Sequence, residues 1–188
     1  MKRILRIVVP ILLIVSGVIF LIVGFYPVIE MKQGVQSSLQ EWEEQKEELV
    51  SIPKEEIKDG TIIATLKIAD FEKILPIRIG TTDLILSKGV GLDTTTPHVG
   101  EIGNSVLYGH REEIFWDLKD VKLGDTLQFE TADKTLIYEI TDIKIVDPDD
   151  PVIYEQTEQS KVTLVTCYPF IYMGDTPERY IVIGTLVE

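Results

Sequence analysis

The sequence predicts a mainly β protein: an eight-stranded barrel with short helices, preceded by an N-terminal transmembrane helix and a helical stalk. Three observations carry this. Residues 7–29 contain no charged side chain, and that apolar run exceeds the roughly 20 residues needed to span a bilayer. Residues 31–51 turn polar, with apolar positions recurring at helical spacing. After Gly60 the pattern becomes short runs rich in Val, Ile, Thr and Leu, divided by turn residues.

The first segment, 1–30, begins with Lys2, Arg3 and Arg6 and no acid. Basic residues ahead of a span leave the N-terminus in the cytoplasm and the rest outside. A cleaved signal peptide would have a shorter apolar region of about 7–15 residues and a small-residue cleavage site. Here the segment leaves through Phe25-Tyr26-Pro27-Val28, so an uncleaved signal anchor in the plasma membrane is expected, with the remaining chain extracellular. All 31 acidic residues lie in residues 30–188, against 15 of the 18 basic ones. So acidic a surface excludes nucleic acid and anionic lipid as main partners, since both select basic surfaces. It suits a soluble exported domain.

Residues 31–59 read as a stalk. Val35, Leu39, Trp42 and Leu49 fall on one helical stripe among Glu41, Glu43, Glu44, Glu47 and Glu48, and Pro53 and Lys58-Asp59-Gly60 end it. Trp42 is expected to pack on the domain that follows. That domain, 60–188, starts with runs at 61–68 and 73–79 joined like a hairpin. A helical turn at 83–88 precedes a break at Gly89-Val90-Gly91. A strand at 104–108 leads into Gly109-His110-Arg111. Runs at 126–130 and 135–146 alternate around a turn, and a phase change near Thr141 and Asp142 signals a bulge. A polar loop follows to Ser160, then strands at 162–167 and 180–187. Closing such strands into an antiparallel-rich barrel removes exposed edges.

Cys167 is the only cysteine, so an intrachain disulfide is excluded, as is a Cys-x-x-Cys redox pair. It ends the strand-like stretch Lys161-Val162-Thr163-Leu164-Val165-Thr166-Cys167, before Tyr168-Pro169-Phe170. A lone cysteine is either a small buried apolar group or a nucleophile. Nucleophilic cysteine chemistry needs a proton-transfer partner and a group that stabilises an oxyanion. His98 sits in a Thr-Thr-Thr-Pro-His-Val-Gly loop and reads as a surface residue. His110 follows a strand end and a glycine. Arg179 opens the final strand, where an ion pair with Glu178 or Asp175 is its ordinary reading.

Together these residues resemble the sortase family. Thr163-Leu164-Val165-Thr166-Cys167 is similar to its TLxTC motif, Tyr108-Gly109-His110-Arg111 to its strand-end Gly-His, and Arg179 to its arginine at the last strand. The resemblance covers about residues 60–188 and is strongest for class D, through Tyr168-Pro169-Phe170, the short anchor and the ending at the last strand. A pilin-polymerising class would add a lid segment and often a second anchor. One departure is Leu92-Asp93-Thr94-Thr95-Thr96, where related enzymes often carry a histidine and a Gly-Thr.

The resemblance implies a cysteine transpeptidase, Gram-positive in type. Cys167 would attack the threonine carbonyl of an LPxT-type sorting signal, His110 would serve as acid and then base, and Arg179 would hold the substrate backbone and the oxyanion. Thr166, Tyr168 and Phe170 would line the groove. The partners implied are surface proteins bearing the sorting signal and an amine on a peptidoglycan precursor. No cofactor is required. Modulation by calcium would draw on Asp147, Asp149, Asp150, Glu155 and Glu158 with Glu101, although their spacing matches no metal motif. Two further readings stand beside this one: a cysteine peptidase that releases the product to water, and a membrane-tethered peptide-binding barrel without turnover.

Overall fold

The computed structural model describes every residue except Met1, Asp70, Tyr172, Met173, Asp175 and Glu188. The segments read as anchor and stalk form a single helix, α1, over Lys2–Leu49. Neither Pro10 nor Pro27 divides it. From Val9 to Tyr26 its side chains are all exposed, and among the described residues this is the one helix long and apolar enough to cross a membrane. Beyond Met31 the helix gains a buried face. Ser38 and Trp42 are buried, and Met31 and Val35 pack on the barrel core. Trp42 thus packs on the domain as its spacing predicts.

Eight strands follow: β1 Ile62–Ile68, β2 Ile74–Ile79, β3 Val90–Leu92, β4 Gly103–Tyr108, β5 Thr126–Thr131, β6 Thr135–Val146, β7 Ser160–Tyr168 and β8 Glu178–Leu186. They close in the order β1-β2-β3-β4-β7-β8-β6-β5, with β5 returning to β1. Two neighbouring pairs, β2–β3 and β4–β7, are parallel and the rest antiparallel. The core fills the interior, with Leu66, Ile77, Leu107, Phe129, Tyr138 and Leu164 fully buried. The β6–β8 register shifts between Ile140 and Asp142, the bulge read from the alternation.

Two readings need correction, and one short element carries no sequence signal. Val90-Gly91 is no break but part of β3, a buried strand. A Cβ on Gly91 would stand 2.3 Å from the Gly80 carbonyl oxygen, so glycine is what lets these backbones meet, and glycine carries no strand signal. The polar loop after β6 contains a 3-10 turn, Pro151–Tyr154, capped by the Asp150 carboxylate accepting from Val152 N–H at 2.9 Å. Its Ile153 is 1% exposed, and one inward residue in a polar run leaves no periodicity. A 3-10 turn at Trp116–Asp120 is too short for helical periodicity as well.

Candidate active site

Strand direction decides what gathers where. β4 and β7 are parallel and end together, their last rung pairing Tyr108 with Val165. Two residues beyond that rung the strands carry His110 and Cys167. β8 runs antiparallel to β7, so it begins at the same rim, and Cys167 lies directly opposite Arg179. The three residues therefore share one rim, although 69 positions separate His110 from Arg179 in the chain. Cys167 is half-buried with a free thiol. His110 and Arg179 are half-buried too.

The backbone around them is tightly fixed. Gly109 N–H donates to the Val165 carbonyl at 3.2 Å. Thr166 is buried, and its hydroxyl donates to the Gly109 carbonyl at 2.7 Å. Thr166 thus ties the residue before His110 to the residue before Cys167, with its hydroxyl directed at backbone. Gly109 has no room for a side chain, since a Cβ would lie 2.7 Å from Phe115 Cδ2 and 2.9 Å from Ile114 Cγ2. The chain after His110 folds back over it, with Phe115 N–H donating to the His110 carbonyl at 2.9 Å.

Arg111, 7% exposed, reaches across the rim. Its Nη1–H donates to the Pro169 carbonyl at 2.7 Å, and its Nε–H to Glu112 Oε1 at 2.8 Å. Burial alone would raise the Glu112 carboxyl, but this bond and the Arg111 charge hold it below the ordinary value. Lys73 donates to the Glu113 and Ile114 carbonyls from the β1–β2 hairpin, and burial lowers its pKa despite Asp117 nearby. Both cations steady the segment that carries His110.

Tyr168 and Phe170 join an aromatic cluster after Cys167. Phe170 meets Tyr180 edge-on with centroids 5.1 Å apart and Trp116 at 6.3 Å, while Tyr168 stacks on Tyr180 at 6.2 Å. The Tyr168–Pro169 peptide bond is cis. Arg179 Nη1–H donates to the carbonyls of Thr176 at 3.1 Å and Glu178 at 3.0 Å. Asp175, the other partner weighed for it, lies outside the described residues.

A second polar group went unread in the sequence. The Tyr154 hydroxyl donates to Asp93 Oδ2 at 2.8 Å and lies 2.7 Å from the Tyr108 hydroxyl. It latches the loop after β6 beside the rim. Burial would raise the Asp93 carboxyl, but hydrogen bonds from Thr95 and Tyr154 bring it below the usual range. Burial and the same partners raise the Tyr154 hydroxyl. The contact spans 61 positions, and no local pattern encodes it.

His98 belongs elsewhere. It precedes β4 and so lies at the opposite rim, half-buried rather than on the surface, and burial lowers its pKa. Its backbone N–H donates to Glu101 Oε2 at 2.8 Å, and Glu101 Oε1 pairs with Lys54. Glu101 is committed there. Among the described residues no group of three or more His, Cys, Asp and Glu side chains is arranged to hold a metal.

The comparisons agree with this geometry. A sortase domain family model matches residues 66–187. Sortase D of Bacillus subtilis is 39% identical over 129 residues, a stretch that takes up 68% of this chain and just under two thirds, 65%, of the relative. A Clostridium perfringens sortase D5 transpeptidase superposes with a TM-score of 0.68 at 28% identity, over 85% of this chain and 99% of that one. Clostridium perfringens sortase C, solved with a C-terminal cell wall sorting motif, gives 0.65 at 28% identity over 83% and 89%. The family model takes in more than half of the chain, with Cys167, His110 and Arg179 inside it, so the chain belongs to the sortase family and is most like class D.

Proposed function

We propose that this chain is a membrane-anchored transpeptidase that cleaves an LPxT-type sorting signal after its threonine and transfers the acyl group to an amine of a cell-wall precursor. The observation that carries this is the convergence of His110, Cys167 and Arg179 at one rim of the barrel. In the first step Cys167 Sγ bonds to the threonine carbonyl carbon and the peptide C–N bond breaks. The leaving amine takes its proton from His110. In the second step His110 accepts a proton from the incoming amine, whose nitrogen displaces the thiolate. Arg179 offers planar donors to the developing oxyanion, an arrangement lysine cannot reproduce. Thr166 positions the catalytic strands, and Tyr168 and Phe170 flank the groove. The sorting motif in the related sortase C structure supports this substrate class. α1 supplies the anchor, with the basic N-terminus inside and the barrel outside.

The test incubates the protein with LPxTG and LPxTA peptides, with and without an amine acceptor. Mass spectrometry should find an acyl adduct on Cys167, and a transfer product when amine is present. Release of free acid alone at saturating amine would mean a hydrolase. Cleavage that persists in Cys167→Ala would end the proposal.

A further inference from the structure

We propose that the rim carrying Cys167 faces the lipid surface, held there by the unbroken passage of α1 from the membrane onto the barrel. This rests on the reading of α1 as a membrane anchor. α1 lies along the barrel wall, and its contacts give the direction. From Lys32 to Glu43 it borders a cavity of about 1110 Å³ whose far wall is Phe71, Lys73, Glu113 and Trp116. These belong to the Cys167 rim, since Lys73 bonds the segment after His110 and Trp116 meets Phe170. Further along α1, Lys46 pairs with Glu130. At its end, Leu49 borders a pocket with His98, Thr131 and Asp133. Those residues mark the opposite rim, where β4 begins and β5 turns into β6.

The helix is therefore a ruler. At about 1.5 Å per residue, Lys32 stands roughly 4–5 Å beyond the end of the apolar run at Ile29. The end of α1 at Leu49 stands roughly 30 Å beyond it. The polar headgroup layer is about 5–7 Å deep on each side, so Lys32 falls within it and the Cys167 rim lies next to it. A typical tilt of about 20° shortens these heights by less than about a tenth.

The attachment is firm. Trp42 is 1% exposed, and Arg78 is 8% exposed. Arg78 donates from β2 to Ser38 Oγ at 2.9 Å and Glu41 Oε2 at 2.6 Å. Attraction to lipid cannot be the cause. Glu72, Glu112, Glu113 and Asp117 line the same cavity, and an anionic leaflet would repel them. Helix continuity and packing impose the orientation.

The test uses the full chain carrying Cys167→Ala, which removes the sole native thiol, in phosphatidylcholine vesicles doped with headgroup-region nitroxide lipid. A fluorophore is placed at Glu72→Cys on the Cys167 rim or at Asp133→Cys on the opposite rim; both positions are exposed. Quenching several-fold stronger at 72 than at 133 is expected. Native Trp116 gives a label-free second reading and should be quenched more than Trp42. Equal or reversed quenching in protein that floats with the vesicles would overturn the orientation and leave the anchor standing. Protein that does not float would overturn the anchor and this inference with it.

Discussion

Cys167 and Arg179 face each other as cross-strand partners on β7 and β8, one rung from the end of the ladder. A directly opposed pair brings its Cβ atoms to about 5 Å, so both side chains start from one point of the rim, with the Arg179 guanidinium held on the Thr176 and Glu178 carbonyls. On the proposed reaction, the oxyanion formed at the carbonyl attacked by Cys167 is the charge that the Arg179 donors would meet.

From this pairing, Arg179→Lys should retain the charge and lose most of the activity. A fall of about 10²–10³ in kcat is expected, the range for removing an oxyanion donor. Thermal unfolding should hardly change. A lysine variant within threefold of wild type would remove the planar-donor role.

Arg111 is a separate case, because it donates to Pro169 and Glu112. Arg111→Met leaves the Pro169 carbonyl without its donor, at a cost of about 1–3 kcal/mol. The rim should loosen, so adduct formation on Cys167 should slow beyond what the fraction unfolded explains. Denaturant melts read beside adduct kinetics separate the two effects.

Trp42 makes the stalk part of the folded unit. Trp42→Ala should cost about 3–5 kcal/mol, as for other buried tryptophans. A chain starting at residue 60 should melt well below one starting at 31. Equal melting temperatures would show that the barrel stands without the helix.

The Tyr154–Asp93 latch carries a pH signature. Asp93 titrates below its ordinary value when folded, so its stabilisation is full above about pH 4, the unfolded range. It is lost as pH falls through the lowered folded value. Tyr154→Phe should be less stable than wild type at neutral pH, and the gap should narrow on acidification. Denaturation midpoints from pH 7 to pH 3 measure this.

Glu101 gives a metal prediction. Its carboxylate is held by Lys54 and the His98 backbone, so a site shared with the loop after β6 would have to break both contacts. Chelator should leave the turnover rate unchanged. A drop restored by calcium would show that the loop recruits other carboxylates.

Much of this protein is written locally, and the local part was legible. Charge and length set out the apolar span, alternation gave seven of the eight strands and the β6 bulge, and helical spacing marked Trp42. These signals survive in a linear string because each depends on neighbours within a turn or a strand. The short chemical strings around Cys167 and His110 named a family for the same reason. What only the tertiary structure decided depends on residues far apart in the chain. β3 exists because Gly91 lets two backbones touch. Arg111 meets Pro169 across 58 positions, and Tyr154 meets Asp93 across 61. The parallel pairing of β4 with β7 brings His110 to the rim that carries Cys167. Barrel closure sets those distances, and a sequence read in windows holds no term for closure.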